Sequence, residues 1–161
     1  MDNTDFMKEA LRLAEISYGE GEVPIGAVVT LGDEIVGRGR NRREYGKNAL
    51  YHAEIEAIDE ACRNLGGWRL WQCDIYVTLE PCPMCAGAII NSRIQKVIFG
   101  AYDRKNGACG SVTNLLTMDF NHKPDFQGGF MEKECADILS RFFKELREKK
   151  QTEKEKEQWK K

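Results

Sequence analysis

The tightest constraint on the fold of this chain is a set of possible metal ligands that lie far apart in the sequence. Cys82 and Cys85 are three positions apart, and His52 stands 30 positions before Cys82. One ion can bind all three side chains only if the two segments meet within a few ångströms. The fold must therefore bring the start of the His52 segment beside the start of the cysteine segment.

Three protein ligands leave one position of a tetrahedral zinc open, which is typical of a catalytic site. We predict one zinc ion per chain, held by His52, Cys82 and Cys85. Glu54 would lie beside this ion, where a carboxylate suits general acid/base catalysis. Two alternatives stay open: a structural zinc that takes a fourth ligand from the scattered cysteines, and a dithiol redox centre. Those scattered cysteines, which we expect to pack in the core, are Cys62, Cys73, Cys109 and Cys135.

Hydrophobic periodicity predicts an alternating order of helices and strands. The predicted helices span residues 4–18, 52–65, 82–92 and 131–150, with a short helix near 112–117. The predicted strands span residues 25–31, 34–41, 75–79 and 96–101, with a possible fifth strand at 128–130. This order indicates an α/β fold with three layers, in which a mixed sheet of about five strands lies between helices. Residues 151–161 are almost all charged and predict a frayed tail.

Charge and hydropathy narrow the functional class. The net charge of −2 argues mildly against a nucleic-acid partner, but basic residues cluster locally. The clusters are residues 38–47, Arg104-Lys105, and Arg141 to Arg147. The acidic start has no signal-peptide pattern, and no apolar run reaches the ~20 residues of a membrane span. We expect a cytoplasmic protein with no membrane partner.

Several fragments carry a family resemblance beyond the metal ligands. His-x-Glu followed by Pro-Cys-x-x-Cys is the signature of zinc nucleobase deaminases. The chain resembles the bacterial tRNA-specific adenosine deaminases, which have the cytidine-deaminase-like fold, over roughly residues 5–150. The fragments that carry the resemblance are residues 23–28, 41–42, 52–55, 76–82, 83–89, 99–101 and 121–122, together with a C-terminal helix that contains Phe142-Phe143.

The resemblance implies a zinc-dependent deaminase domain at residues 1–150, which converts the wobble adenosine of a tRNA-Arg anticodon to inosine. It implies a homodimer that binds a tRNA anticodon stem-loop. It also implies that Glu54 is the proton shuttle and that Asn41 reads the base. Further RNA contacts are implied for Asp103, Lys105 and Asn121. Two other functions stay open: a deaminase of a free nucleobase or nucleotide, and a non-catalytic zinc-containing module that binds RNA.

Overall fold

The computed structural model describes residues 1–160, which form four α-helices, five strands and one short 3-10 helix. The helices are α1 (Asn3–Gly19), α2 (Ala53–Leu65), α3 (Pro83–Asn91) and α4 (Glu132–Trp159). The strands are β1 (Gly26–Leu31), β2 (Glu34–Arg40), β3 (Cys73–Leu79), β4 (Lys96–Ala101) and β5 (Asp125–Gln127), and the 3-10 helix spans Leu115–Thr117.

The strands form one mixed sheet in the order β2-β1-β3-β4-β5. β1 is antiparallel to β2 and β3, whereas β3, β4 and β5 run parallel to one another. Helices α2 and α3 cover one face of the sheet, and α1 and α4 cover the other. The predicted three-layer α/β architecture with a mixed five-stranded sheet is therefore confirmed.

The central strands are buried because helices cover both of their faces. Every residue of β1 except Leu31 is buried, and β4 is buried after its first residue. Such strands appear in the sequence as continuous apolar runs. Helix α1 begins at an Asp2 capping box, in which the Asp2 and Asp5 side chains each accept the other's backbone N–H.

Two elements differ from their predicted bounds. The fifth strand lies at Asp125–Gln127 and not at 128–130, because Gly129 has a left-handed backbone (φ 79°) that interrupts the extended chain. The three residues of β5 are exposed, so no buried pattern marks the strand in the sequence. Helix α4 continues to Trp159 and does not end near Lys150, since the segment contains good helix formers and no breaker.

The parallel strands place their carboxyl ends together at one edge of the sheet. Leu79 of β3 pairs with Ala101 of β4 at this edge, and α3 begins shortly after Leu79. The pairing of Gly26 with Arg40 brings the end of β2 to the same edge. Ligands of open α/β sheets gather at such an edge. Within residues 1–160, none of the helices is both long and apolar enough to cross a membrane.

Candidate active site

The first ligand, His52, is the N-cap residue of α2. This helix lies directly on β2 because Gly37 and Gly39 have no side chains. A Cβ at Gly37 would lie 2.1 Å from the carbonyl oxygen of Ala57, and one at Gly39 would lie 2.0 Å from that of Ala53. Both distances are too short for any real contact, so the two glycines fix the position of α2 and of its first residues.

The other two ligands lie at the start of α3. Cys82 is the N-cap residue, Pro83 occupies the first turn, and Cys85 follows in the same turn. Proline fits there because the first backbone nitrogens of a helix need no intrahelical partner. The unpaired N–H groups and the helix dipole of this turn favour negatively charged thiolates.

The structure brings the three predicted ligands together. The Nδ1 atom of His52 lies 3.7 Å from Sγ of Cys82 and 3.6 Å from Sγ of Cys85. Tetrahedral zinc, with Zn–S of about 2.3 Å and Zn–N of about 2.0–2.1 Å, places sulfur and nitrogen about 3.6 Å apart. The three donor atoms therefore fit one zinc ion. They are the only such group of His, Cys, Asp or Glu side chains within residues 1–160.

Hydrogen bonds within the ligand set shift the pKa values of its members in different directions. A hydrogen bond from the Cys85 thiol lowers the pKa of Cys82 to about 4, and the same contact raises the pKa of Cys85. The hydrogen bond with Cys82 also raises the pKa of His52. Cys82 thus favours the thiolate at neutral pH, whereas Cys85 would have to release its proton to bind a metal.

Glu54 is the carboxyl group beside the predicted ligands, and burial strongly raises its pKa. It is the second residue of α2, its side chain is 4% exposed, and burial raises its pKa to about 7. A carboxyl group that titrates near neutral pH can both accept and donate a proton under working conditions. The site therefore combines a metal-ligand set with a buried acid/base group.

Asn41 follows the end of β2 and is 5% exposed. Its Nδ2 donates to the carbonyl oxygen of Val23 at 3.1 Å, and its Oδ1 accepts the backbone N–H of Arg43 at 3.3 Å. One N–H and one lone pair of the amide remain beyond these two bonds. The next residue, Arg42, donates its backbone N–H to the carbonyl oxygen of Tyr51, so this segment adjoins His52.

The other residues predicted to contact RNA lie at two different ends of the sheet. Asp103 and Lys105 lie in the loop after β4, at the site edge, and Oδ1 of Asp103 accepts the backbone N–H of Lys105 at 3.2 Å. Asn121 precedes His122, whose Nε2 lies 2.6 Å from the carbonyl oxygen of Ile94. Because Ile94 precedes the first residue of β4, the structure places Asn121 at the opposite end of the sheet from the ligands.

The C-terminal basic cluster is partly occupied by internal contacts. Arg141 pairs with Glu15 at 2.9 Å, and its guanidinium lies 4.6 Å from the ring centroid of Tyr18. These contacts tie α4 to α1. Arg141 is therefore less free to hold a phosphate than the sequence alone suggested, whereas Lys144 and Arg147 of the same cluster are exposed.

Sequence reasoning missed the role of Glu80, which is 2% exposed between β3 and the ligand pair. Its carboxylate accepts the backbone N–H groups of Asp103 at 3.2 Å, Cys109 at 3.1 Å and Ser111 at 3.0 Å. It also accepts the hydroxyl of Ser111. An acidic residue that ends an otherwise apolar strand was the available signal. Glu80 fixes the loop that carries Asp103 and Lys105.

Fold and site together define a deaminase, with a ligand set compatible with zinc. Residues 1–147 match the family model of the MafB19-like deaminases. The chain is 51% identical over 146 residues to the tRNA-specific adenosine deaminase of Bacillus subtilis (strain 168), covering 90% of this chain and 91% of that protein. It is therefore an enzyme.

Two solved structures share the fold of this chain but differ in how much of its sequence they share. The fold is similar to that of a tRNA:A34 deaminase studied for A-to-I editing at the wobble position of transfer RNA, with TM-score 0.82, 43% identity, and coverage of 85% of this chain and 100% of that one. A guanine deaminase from Nitrosomonas europaea shares the fold at TM-score 0.78, with 21% identity over 88% of this chain and 84% of that one. The chain belongs to the MafB19-like deaminases and, among them, to the tRNA-specific adenosine deaminases.

Proposed function

We propose that this protein converts adenosine to inosine at the wobble position of the tRNA-Arg anticodon, with one zinc ion per chain. The observation that supports this most directly is the position of Glu54. A buried carboxyl group with a pKa near 7 lies beside a zinc-compatible His/Cys/Cys set. A module that only binds RNA has no need of such a group. The relatives named as adenosine deaminases supply the substrate class.

Zinc, if held by His52, Cys82 and Cys85, would supply Lewis-acid activation of a water molecule. Glu54 is the residue that would accept a proton from the attacking water and pass it to N1 as the water oxygen bonds to C6 of the adenine. Glu54 would then move the second proton from that oxygen to the exocyclic nitrogen as the C6–N6 bond breaks, so that inosine and ammonia are released. A carboxyl group that titrates near neutral pH suits both transfers.

The base is held by groups at the same edge of the sheet. Asn41 keeps one N–H and one lone pair for a purine edge, because its other bonds fix the orientation of the amide. Asp103 and Lys105 contact the ribose and phosphate of the same strand. An anticodon loop presents its wobble base unpaired, so little stacking energy is lost when the base enters the site.

The assembly proposed is a homodimer in the cytoplasm, where tRNA is found. Helix α3 turns an uncharged face outward, on which Met84, Gly87 and Ala88 are half-buried. Small apolar residues on a helix surface allow a second copy to approach closely. Asn121 lies at the far end of the sheet, and we propose that it contacts RNA in the context of this dimer.

The test is deamination of an arginine-tRNA anticodon stem-loop that carries adenosine at the wobble position, measured as inosine formed and ammonia released. We expect efficient turnover that falls as salt rises, because each phosphate contact gives a slope of about −0.7 in log affinity against log salt for single strands. Free adenosine, cytidine and guanine should react at least ~100-fold less efficiently, since they lack the flanking contacts that position the base.

Two controls make the result specific. A stem-loop with guanosine at the wobble position reports on base selectivity, and Glu54→Ala reports on contaminating activity. Glu54→Ala should bind zinc and RNA but lose turnover by ~100-fold or more. Equal rates on free guanine and on the stem-loop, without salt dependence, would instead identify a free-base deaminase.

A further inference from the structure

Glu22 is a third buried glutamate beside Glu54 and Glu80, and it takes no part in the proposed proton transfers. It lies in the connection between α1 and β1 and is 2% exposed. It forms no ion pair within residues 1–160. A buried carboxylate without a counter-ion requires hydrogen-bond donors in place of the water it has lost. Its donors come from the β2–α2 loop, residues 42–51.

The donors are successive backbone N–H groups of this loop. Oε1 of Glu22 accepts the N–H of Tyr45 at 2.6 Å, and Oε2 accepts the N–H of Glu44 at 3.2 Å. The N–H of Arg43, directly before them, donates to Oδ1 of Asn41 at 3.3 Å. Three consecutive N–H groups are thus divided between two side chains, one bound by Asn41 and two bound by Glu22.

The β2–α2 loop contains one helix-like turn. The N–H of Gly46 donates to the carbonyl oxygen of Arg42 at 2.7 Å, and the N–H of Lys47 donates to that of Glu44 at 3.2 Å. The first N–H groups of such a turn have no acceptor inside it. Glu22 supplies that acceptor from a distant part of the chain, as an N-cap residue does at the start of a helix. Loss of Glu22 would leave two N–H groups in need of another acceptor.

A change in this turn acts on Asn41, because Oδ1 of Asn41 binds the N–H group next to those held by Glu22. The rest of Asn41 is held by the connection in which Glu22 lies. Its Nδ2 donates to the carbonyl oxygen of Val23 at 3.1 Å, and its carbonyl oxygen accepts the Ser17 hydroxyl at 2.8 Å. The N–H of Glu22 donates to the carbonyl oxygen of Ser17 at 2.9 Å. Glu22 therefore fixes the side of the Asn41 amide that faces the turn.

The other end of the β2–α2 loop is held by separate contacts. The Tyr51 ring lies against the turn, since a Cβ at Gly46 would be 2.2 Å from it. The guanidinium of Arg42 lies 5.1 Å from the centroid of the same ring. These contacts directly precede His52. We therefore expect loss of the buried carboxylate to disturb Asn41 while the predicted metal ligands stay in place.

We propose that Glu22 is a positioning residue for the deamination, which holds the turn of the β2–α2 loop so that the Asn41 amide keeps the orientation in which it reads the base. The inference rests on the proposed function and deepens it by assigning a residue that acts through Asn41. Because Glu22 acts only by this route, its effect on the reaction disappears when the Asn41 amide is absent.

The experiment is a double-mutant cycle on catalytic efficiency with the arginine-tRNA stem-loop. Glu22→Ala is introduced into the wild-type chain and into Asn41→Ala. In the wild-type chain we expect kcat/KM to fall by ~10- to 100-fold, because the base is misplaced. In Asn41→Ala it should fall by less than ~3-fold, because the group that Glu22 positions is already missing. Equal factors in the two backgrounds indicate a merely structural role and would overturn the proposal.

Two further variants guard against misfolding and against general effects of charge. Glu22→Gln keeps the size of the side chain and one oxygen acceptor, so it should lose ~3- to 10-fold in kcat/KM with the same coupling to Asn41→Ala. The matched control is Glu20→Gln in the same connection, where Glu20 pairs with Arg40 at 2.7 Å. It should keep kcat/KM within about twofold. Every variant should retain about one zinc ion per chain.

Amide hydrogen exchange of the RNA-free protein, followed by NMR, tests the hydrogen bonds themselves. We expect the N–H groups of Glu44 and Tyr45 to be protected, although Tyr45 is 74% exposed. Glu22→Ala should speed their exchange by ~10-fold or more. Unprotected groups in the wild-type chain would refute the arrangement from which the proposal is drawn.

Binding separates this proposal from the proposed reaction. The cycle is repeated on dissociation constants of the stem-loop in the Glu54→Ala background, in which the RNA is not consumed. Coupling in binding without turnover by the wild-type protein would retain the role of Glu22 and refute the proposed reaction. Turnover without coupling would do the reverse.

Discussion

At the residue scale, the proposed active site contains four side chains whose pKa values are shifted by their surroundings. Cys82 is charged at neutral pH because Cys85 donates a hydrogen bond to it, while burial keeps Glu54 near its midpoint. The proposed reaction requires a ligand that stays anionic and a carboxyl group that exchanges protons. Both properties arise at the first turns of two helices, where the donor atoms of His52, Cys82 and Cys85 lie within 4.8 Å of one another.

Cys82→Ala should lose the zinc, because two remaining ligands hold the ion too weakly. We expect metal content to fall from about one ion per chain to below ~0.1, activity to be lost and the melting temperature to fall by roughly 10 °C. Elemental analysis and thermal unfolding measure these changes. The control is Cys73→Ala, a buried cysteine outside the ligand set, which should keep its zinc. Full zinc content in Cys82→Ala would refute the ligand assignment.

At the scale of elements, the loop at residues 102–111 is held in place by hydrogen bonds although it forms no helix or strand. Residues 102–111 carry Asp103 and Lys105, and their backbone N–H groups converge on the buried carboxylate of Glu80. Gly107 lies so close that a Cβ there would be 2.2 Å from an oxygen of Glu80. One side chain at the end of β3 thus sets the position of the loop that carries Asp103 and Lys105 relative to the two cysteines that follow.

Glu80→Ala should lower the free energy of unfolding by about 2–4 kcal/mol, because several buried N–H groups lose their acceptor. Catalytic efficiency on the stem-loop should fall as well, since the loop is no longer held against the site. Urea unfolding and steady-state kinetics measure the two effects. Ser111→Ala, which removes one hydroxyl from the same network, should cost about 1 kcal/mol. Equal stability of Glu80→Ala and wild type would contradict the role of the network.

The last part of α4 is helical, but no other element within residues 1–160 packs against it. All side chains at 151–159 are exposed, and Trp159 is 91% exposed. We predict that removal of residues 151–161 shifts the melting temperature by less than about 2 °C, because no buried apolar surface is lost. Differential scanning calorimetry of the shortened chain measures the shift. A drop of several degrees would mean that Trp159 docks on a second copy.

The sequence predicts the layer order and the metal ligands because both depend on local patterns. Three predicted ligands at fixed spacing require one meeting point, and periodic apolar residues give most of the helices and strands. The role of Glu80 and the position of Asn121 depend on how the loop at 102–124 passes from one end of β4 to the other. That path is set by contacts between residues about 20 to 30 positions apart, such as Glu80 with Cys109 and Ile94 with His122, which no local pattern records.

At the scale of the whole molecule, one helix on each face of the sheet shows a different surface to solvent. Helix α4 is tied to α1 by Arg141 and Glu15 and then extends as a charged rod. Helix α3 instead presents half-buried Gly87 and Ala88 without charge. The charged end of α4 favours solubility, and the uncharged face of α3 is the surface through which we propose that two copies associate.

Sedimentation at micromolar concentration should show a species of about twice the 18.4 kDa chain mass. Ala88→Glu should produce the monomer, because two buried charges would meet across the proposed interface. Lys8→Glu, on the exposed side of α1, is the matched control and should remain dimeric. A wild-type species of single-chain mass would refute the assembly.

The location of the ligands has a consequence for how the enzyme matures. His52 and Cys82 are the N-cap residues of two helices that pack on the sheet through a cluster of buried apolar side chains. The proposed zinc ion would therefore join two helix N-termini that this core already holds, and we expect the zinc-free chain to fold but not to edit.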